Sequence, residues 1–524
     1  PISADDDFFA VGGDSLAALE MTMLLSEELG VEVPEAIAFA NATPRALATA
    51  LAEQLDGAHP LQRGTPEAGA GGEPPRLSAG ERAMAYEHAL RPDDPRYNQG
   101  RRYRIGGIVD PDRLRRALET VAGRHDPLHR AYDETRRPLD PDEAVAFTSA
   151  TVASWAEADE RARALHRQPF DLARGPLLRA AALRVGDETS VVLATHHIST
   201  DESSFDRLWR EVEAAYHGGD LPVLPLAYAD HTSWQEGADP AAAAEHWRDA
   251  IGAVPRLALH RPPTQEPDGL RERRATIGAD ELRRTGTAPF ATVLAAMGAV
   301  LRRYAGSDEV TVGALVSTRD HPKAADLVGY YLHQLPLPVR ADGARSLAEV
   351  RTDCADTLAA ALAHRTHPFA EIVAERRRSG RPDPTPQVLV ALQEIDTLSF
   401  GDRPVDQEIL FTGSAVADAT VFVQERDGAV HLAMEHRGSV VSAATADRFL
   451  ADLDAALEVV CRRPDTPVEA CLAAAGSVLT GPPAAPPVGV VERIVAAAAA
   501  RPGHAAVVAG GRTLSWAELG VWSG

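Results

Sequence analysis

Two stretches too rich in glycine and proline to build a packed core divide this chain before any other feature is read. Residues 57–75 hold five Gly and four Pro in nineteen positions, and Gly481–Gly489 hold six Gly or Pro in nine. Such composition makes extended or flexible linkers. Any fold must therefore be assembled from a short first piece, a long central piece and a short tail. At about 150 residues per domain, 524 residues imply three or four domains. The central piece, 76–465, is long enough for two lobes of ordinary size.

Charge and composition exclude several functions. The formal net charge of −23 is too acidic for a protein that grips phosphate backbones, so no nucleic-acid partner is expected. The sequence has no uncharged apolar run of bilayer-spanning length, so no membrane role is expected. Cys354, Cys461 and Cys471 are too few and too scattered for a disulfide framework, which points to a reducing compartment. The opening PISADDDFF lacks the regions of a signal peptide, and a cytoplasmic location is expected. Residues 1–56 carry eleven acids against the single base Arg45, a net charge of −10.

In this acidic piece Leu16, Leu19, Met23 and Leu24 recur at helical spacing, with Glu20, Glu27 and Glu28 on the other side. An amphipathic helix is predicted from Ser15. A second is predicted from Pro44, after Asn41 and Thr43 as candidate caps, with Leu47 and Leu51 on its apolar side. A serine at a helix start is commonly an N-cap, and that is one reading of Ser15.

In the central piece Val191-Val192-Leu193-Ala194 reads as a strand buried on both faces, and it runs into His196-His197. Neighbouring side chains on a strand point to opposite faces, so the two histidines share a pocket only if the strand breaks there. One of them is expected to be structural. No further ligand stands at metal-binding spacing, and no metal is expected.

The string Asp6-Asp7-Phe8-Phe9-Ala10-Val11-Gly12-Gly13-Asp14-Ser15-Leu16 resembles the attachment site of peptidyl carrier proteins. The resemblance implies a small all-α four-helix carrier bundle over 1–56. It also implies a 4′-phosphopantetheine cofactor placed on Ser15 by a phosphopantetheinyl transferase, its thiol holding an acyl thioester. The positive end of a helix suits that phosphodiester. A Gly-Asp-Ser-Leu hydrolase, with Asp126 and His129 as partners, is set aside because an acidic run stands where its apolar strand belongs.

The string His196-His197-Ile198-Ser199-Thr200-Asp201-Glu202 resembles the HHxxxDG motif of the condensation domains of nonribosomal peptide synthetases. Further matches follow in the family's order: Leu77-Ser78-Ala79-Gly80-Glu81-Arg82, Arg124-His125-Asp126-Pro127-Leu128-His129-Arg130, Gly175-Pro176-Leu177-Leu178-Arg179, Tyr228-Ala229-Asp230-His231, Val328-Gly329-Tyr330-Tyr331 and His367-Pro368-Phe369. The resemblance implies an α/β domain of two chloramphenicol-acetyltransferase-like lobes in a V, 76–248 and 249–465, with a tunnel that two carrier arms enter from opposite faces. It implies amide formation between a carrier-held acyl thioester and the amine of a downstream aminoacyl thioester. A thioester is already activated and an α-amine has a pKa of about 7.7–8.0, so the reaction needs positioning, loss of one proton and help for the oxyanion. His197 would take the proton or orient the amine. His196 would be structural, and Asp201 would pair with a buried arginine, for which Arg319 is the candidate. Without the resemblance, His197 reads better as a satisfied core histidine.

Two departures stand out against that family. Glu202 replaces the motif's glycine, and His333-Gln334 replaces Asn-Thr in a stretch expected near the tunnel. Glu202 at a helix start is explained by solvent exposure, where an acid is favoured. The second reading makes it a catalytic acid. A carrier-bound seryl or threonyl thioester has an acidified α-proton and a β-hydroxyl that can leave, and a histidine beside a carboxylic acid supplies the base and acid for dehydration to a dehydroamino acid. The alternatives are a non-catalytic recruitment platform of the same fold and an epimerising domain. Residues 488–524, beyond a linker at 466–487, resemble the start of an adenylation domain, as expected for one part of a larger synthetase with upstream and downstream modules, among them a downstream aminoacyl carrier domain.

Overall fold

The computed structural model describes residues 3–8, 15–31, 41–55, 76–132, 143–237, 240–252, 254–259, 266–472, 505–509 and 512–515, with a few short stretches between them. Two compact units are present, Pro1–Ala475 and Gly476–Gly524. In the second, Ala505–Ala509 and Arg512–Ser515 pair as an antiparallel hairpin. The rest of the adenylation-like tail and most of both linkers lie outside the described residues.

In the acidic first piece two helices are described, α1 (Ser15–Leu29) and α2 (Pro44–Leu55). Pro44 opens α2 because the first helical N–H needs no partner, and the Thr43 hydroxyl accepts the Ala46 N–H at 3.2 Å. Leu47 is buried beside Val33 and Ile37. Arg45 is paired with Asp5 at 2.6 Å on the surface. The remainder of the expected four-helix bundle lies outside the described residues.

The central piece is α/β, built on two six-stranded mixed sheets. The first sheet contains β1 (Asn98–Ile105), β2 (Val145–Val152), β3 (Leu178–Val185) and β4 (Glu188–His196). The second contains β5 (Gly269–Gly278), β6 (Glu309–Ser317), β7 (Leu332–Arg340), β8 (Val388–Glu394), β11 (Ala419–Arg426) and β12 (Ala429–His436). The hairpin of β9 (Leu398–Phe400) and β10 (Arg403–Ile409) leaves the second half of the chain and completes the first sheet, in the order β2-β3-β4-β1-β10-β9. A cut of the chain at residue 248 therefore does not separate the two sheets.

Helices pack on both faces of the first sheet and against the second, and their ends follow local chemistry. α3 (Ala79–Leu90) is capped by Ser78, whose hydroxyl accepts the Glu81 N–H while Glu81 accepts the Ser78 N–H. α4 (Pro111–Arg124) starts on the Asp110 cap and buries Leu114, Leu118 and Val121. α5 is Trp155–Arg167, and α6, Glu202–Tyr216, follows β4 directly. α7 (Tyr228–Glu236), α8 (Pro240–Ala250) and the short α9 (Ala279–Arg283) lead to α10 (Pro289–Ala305). This helix is buried along nearly its whole length, and its end is set by Gly306 at φ +59°. α11 (Leu347–Ala363), α12 (Phe369–Arg378), α13 (Ala443–Arg462) and the short α14 (Val468–Cys471) complete the second layer. Two main cores result, one around α10 and β6–β8, the other around Tyr103, Leu114, Leu193 and Trp209.

Candidate active site

β4 is the central strand that carries the histidine pair to the end of the first sheet, held by β3 on one side and β1 on the other. Its register with β1 places His196 opposite Asn98. The strand ends at His196 and the chain turns over residues 197–199, so the two imidazoles leave the backbone in different surroundings.

His196 is buried, its ring edge-on to His88 at 5.0 Å and to Phe170 at 6.2 Å. Its Nδ1 accepts the Ile198 N–H at 3.1 Å. Burial, and then the neighbouring imidazoles and Arg179, hold its pKa well below the usual histidine value. A neutral ring fixed by its own turn shapes the loop.

His197 is only part-buried and faces a different set of groups. Its Nδ1 donates to the carbonyl oxygen of Thr200 at 2.7 Å, leaving the lone pair on Nε2. Gln99, on β1, has its amide nitrogen 3.4 Å from that Nε2, and its Oε1 accepts the Thr200 hydroxyl at 3.1 Å, so the amide is oriented. The Tyr330 ring meets the imidazole edge-on at 5.1 Å. Burial lowers the His197 pKa, opposed by the Thr200 bond and by the charges of Asp201 and Glu202. The arrangement presents an imidazole whose lowered pKa favours the neutral form and whose Nε2 lone pair meets only the long contact from the Gln99 amide, as a general base requires.

The structure brings Asp201 and Arg319 together across the two halves of the domain. Asp201 caps α6, accepting the Ser204 N–H at 3.0 Å and the Ser204 hydroxyl at 2.7 Å. Arg319, just beyond β6, grips both carboxylate oxygens, with Nη2 to Oδ1 at 2.9 Å, and also reaches the Leu327 carbonyl at 3.2 Å. Its guanidinium lies over the Tyr331 ring at 4.2 Å. Both residues are buried. Burial alone would raise the Asp201 pKa, but the guanidinium and the Ser204 hydroxyl hold it below the usual value. The carboxylate is therefore a permanent anion and not a proton shuttle.

Glu202 is the first residue of α6, and its Oε1 accepts two bonds from buried Arg101, Nε at 3.1 Å and Nη2 at 2.5 Å. Arg101 also holds Asp206 and the Gln407 amide oxygen, so β1, α6 and β10 meet on one cation. The Arg101 fork turns the Glu202 side chain inward, unlike the solvent-facing arrangement of an acid at a helix start.

His333 lies on the face of β7 shared by Leu335 and Leu337, which pack into the core around α10, and its Nδ1 donates to the Arg365 carbonyl at 2.9 Å. Gln334 takes the opposite face. The imidazole is spent on the loop after α11 instead of facing the histidine pair.

Sequence reasoning missed Arg101, Gln99 and Tyr330. A signal existed for the first: Arg101, Tyr103 and Ile105 alternate on one face of β1, and a cation in an apolar row needs a buried anion. Ser15 is the first residue of the fifteen-residue α1, a setting that suits a phosphodiester at a helix start; its side-chain surroundings lie outside the described residues.

Residues 76–474 match the family profile of the condensation domain. The chain belongs to the condensation-domain family. Residues 1–51 match the phosphopantetheine attachment site, so a site for covalent 4′-phosphopantetheine precedes the condensation domain. Among curated relatives, a plipastatin synthase of Bacillus subtilis is 27% identical over 100% of this chain and 15% of its own length. The phosphinothricin tripeptide synthetase of Streptomyces viridochromogenes is 29% identical over 72% of this chain and 38% of its own length. This chain thus spans a minor part of each. The starter condensation domain of rhizomide synthetase superposes with TM-score 0.66 at 20% identity, covering 75% of this chain and 95% of that one. The X-domain bound to OxyB from teicoplanin biosynthesis superposes with TM-score 0.62 at 20% identity, covering 78% and 98%. These likenesses concern the fold alone.

Proposed function

We propose that this condensation domain forms an amide bond, passing the acyl group held on Ser15 to the amine of an aminoacyl thioester on a downstream carrier. The observation that carries this is the His197 imidazole: its pKa lowered by burial, its tautomer fixed by the Thr200 carbonyl, its Nε2 left as the acceptor nitrogen beside the Gln99 amide. The phosphopantetheine arm, when attached, supplies the thioester. His197 takes the amine proton as the nitrogen attacks, and Asp201 with Arg319 keeps the turn that positions it. His196 shapes the same turn from the buried side.

The finer reading is that the domain also removes water from a carrier-bound seryl or threonyl residue. It is supported by the Glu202 carboxyl, which stands where the family motif has glycine and acts on the His197 imidazole. Loading Ser15 with acyl-seryl, acyl-threonyl and acyl-alanyl pantetheine, adding a downstream aminoacyl carrier and weighing the products tests both readings. Amide product that is lost in His197→Ala supports the enzyme. Equal product from His197→Ala would favour the recruitment platform. A mass lower by one water in the seryl and threonyl products alone supports dehydration.

A further inference from the structure

Amide formation needs a donor for the oxyanion as well as a base, and the groups around His197 restrict what can supply it. The oxyanion grows two bonds from the attacking nitrogen, and that nitrogen must stand about 2.6–3.2 Å from His197 Nε2 to give up its proton. The N–H groups of the histidine turn are committed elsewhere. That of His197 goes to the Tyr97 carbonyl at 2.7 Å, that of Ile198 to His196 Nδ1 at 3.1 Å, that of Ser199 to the His196 carbonyl at 3.0 Å and that of Asp201 to the Ser204 hydroxyl at 3.3 Å. Thr200 is fully buried and gives its hydroxyl proton to Gln99. Asp201 and Glu202 bring carboxylate oxygens, which accept and do not donate.

Gln99 is placed differently. It is part-exposed and stands opposite Thr195 in the β1–β4 register, on the same face of the sheet. The Thr195 hydroxyl lies 2.5 Å from the Thr200 hydroxyl, which donates to Gln99 Oε1 at 3.1 Å. The Thr200 carbonyl can only accept, so Nδ1 of His197 carries the imidazole proton, Nε2 carries the lone pair, and the group 3.4 Å from Nε2 is the NH2 of the Gln99 amide. Thr200 thus sets the imidazole tautomer with its carbonyl and the amide orientation with its hydroxyl. The Nε2 lone pair takes one amide N–H at most, and among the described residues the other meets no hydrogen-bond partner.

We propose that Gln99 is a catalytic residue of amide formation, its amide N–H donating to the oxyanion that forms on the acyl carbonyl while His197 takes the amine proton. This rests on the amide-forming reading given above and assigns the donor that reading leaves open. When the acceptor amine takes the Nε2 lone pair, both Gln99 N–H groups are released beside the reacting carbon, and the Thr200 bond to Oε1 keeps them aimed there without reorganisation. In the step, the nitrogen–carbon bond forms, the carbonyl π pair moves onto oxygen, where the Gln99 N–H meets it, and one amine proton goes to His197 Nε2. The pair then returns, the C–S bond breaks, and the thiolate leaves with the proton that His197 holds. The sum is acyl transfer from sulfur to nitrogen, with nothing oxidised or reduced.

The test uses the full chain with acyl pantetheine on Ser15 and a downstream aminoacyl carrier, and follows a single turnover of amide. Gln99→Leu, and the near-isosteric Gln99→Glu that still accepts the Thr200 hydroxyl, should each lower the rate at saturating acceptor by about 100- to 1000-fold, with the half-saturating acceptor concentration unchanged. A dithioester in place of the thioester gives the signature of direct contact: sulfur accepts hydrogen bonds weakly, so C=S should slow the wild type far more than it slows Gln99→Leu. Equal slowing of the two, or a wild-type rate in either variant, overturns the proposal. So does an acid limb of the pH profile that moves by more than about one pH unit in Gln99→Leu, because Asp201 and Glu202, the charges facing the imidazole, are unchanged and Gln99 would then act through His197. If Gln99→Leu does not fold, Gln99→Glu carries the rate and dithioester comparisons. A His197→Ala chain that makes amide at the wild-type rate removes the amide-forming role of His197 itself, whereas a defective His197→Ala chain beside an unimpaired Gln99→Leu chain removes this assignment alone.

Discussion

A base acts only while it is unprotonated, and burial is what keeps His197 so. Because its pKa is lowered, the rate of amide formation should rise with pH through a value below the ordinary imidazole figure of about 6.5 and owe no further change to this residue above it. A profile of the amide rate from pH 4 to 8 checks this; His197→Ala should cost at least about 100-fold at neutral pH. The histidine pair and its unequal roles were legible because strand parity is written into the sequence. The Arg101–Glu202 contact was not, since the two residues lie 101 positions apart.

At the level of elements, the turn from β4 into α6 is held by a capping aspartate that is also half of a buried ion pair. Removing one partner strands a charge in a dry setting, which costs about 3–5 kcal/mol, whereas removing both costs less than the sum. Asp201→Asn and Arg319→Met should each lower the melting temperature sharply, with the double variant nearer the wild type than additivity allows. Additive losses would show that the pair contributes through other contacts. The pH sense follows from the lowered Asp201 pKa: its stabilisation is complete above the unfolded value of about 3.9 and fades as pH falls through the folded value. The pairing was readable only through the resemblance, because nothing in the spacing of residues 201 and 319 links them. The helices of the first lobe were readable locally: Pro111 after Asp110 and Ser78 three before Glu81 are start signals in themselves.

Across the whole central unit, the crossing hairpin β9–β10 makes the two sheets one folding problem. β10 pairs with β1 from Arg101 to Ile105, Gln407 bonds Arg101 at 2.6 Å, and the Trp209 indole donates to the Ser399 carbonyl at 2.9 Å while stacking on Tyr103 at 4.0 Å. Without the hairpin, β1 becomes a bare sheet edge and the buried Trp209 loses its Phe400 neighbour. No local signal announced this crossing, because Leu398–Ile409 alternates weakly and its partner strand lies about 300 residues earlier. Replacing residues 398–409 with a Gly/Ser linker of equal length should turn one cooperative unfolding transition of this unit into two. Amide formation should fall with it, although His197, Asp201 and Arg319 are untouched, because Arg101 would lose the Gln407 contact that ties β10 to the cation holding Glu202 beside the base. Urea melts followed by intrinsic fluorescence, with Trp209 at the junction, measure the first effect, and product mass measures the second. A single transition at the wild-type midpoint would show instead that the other contacts between the lobes, such as Asp201–Arg319 and Gln235–Asp320, suffice to couple them.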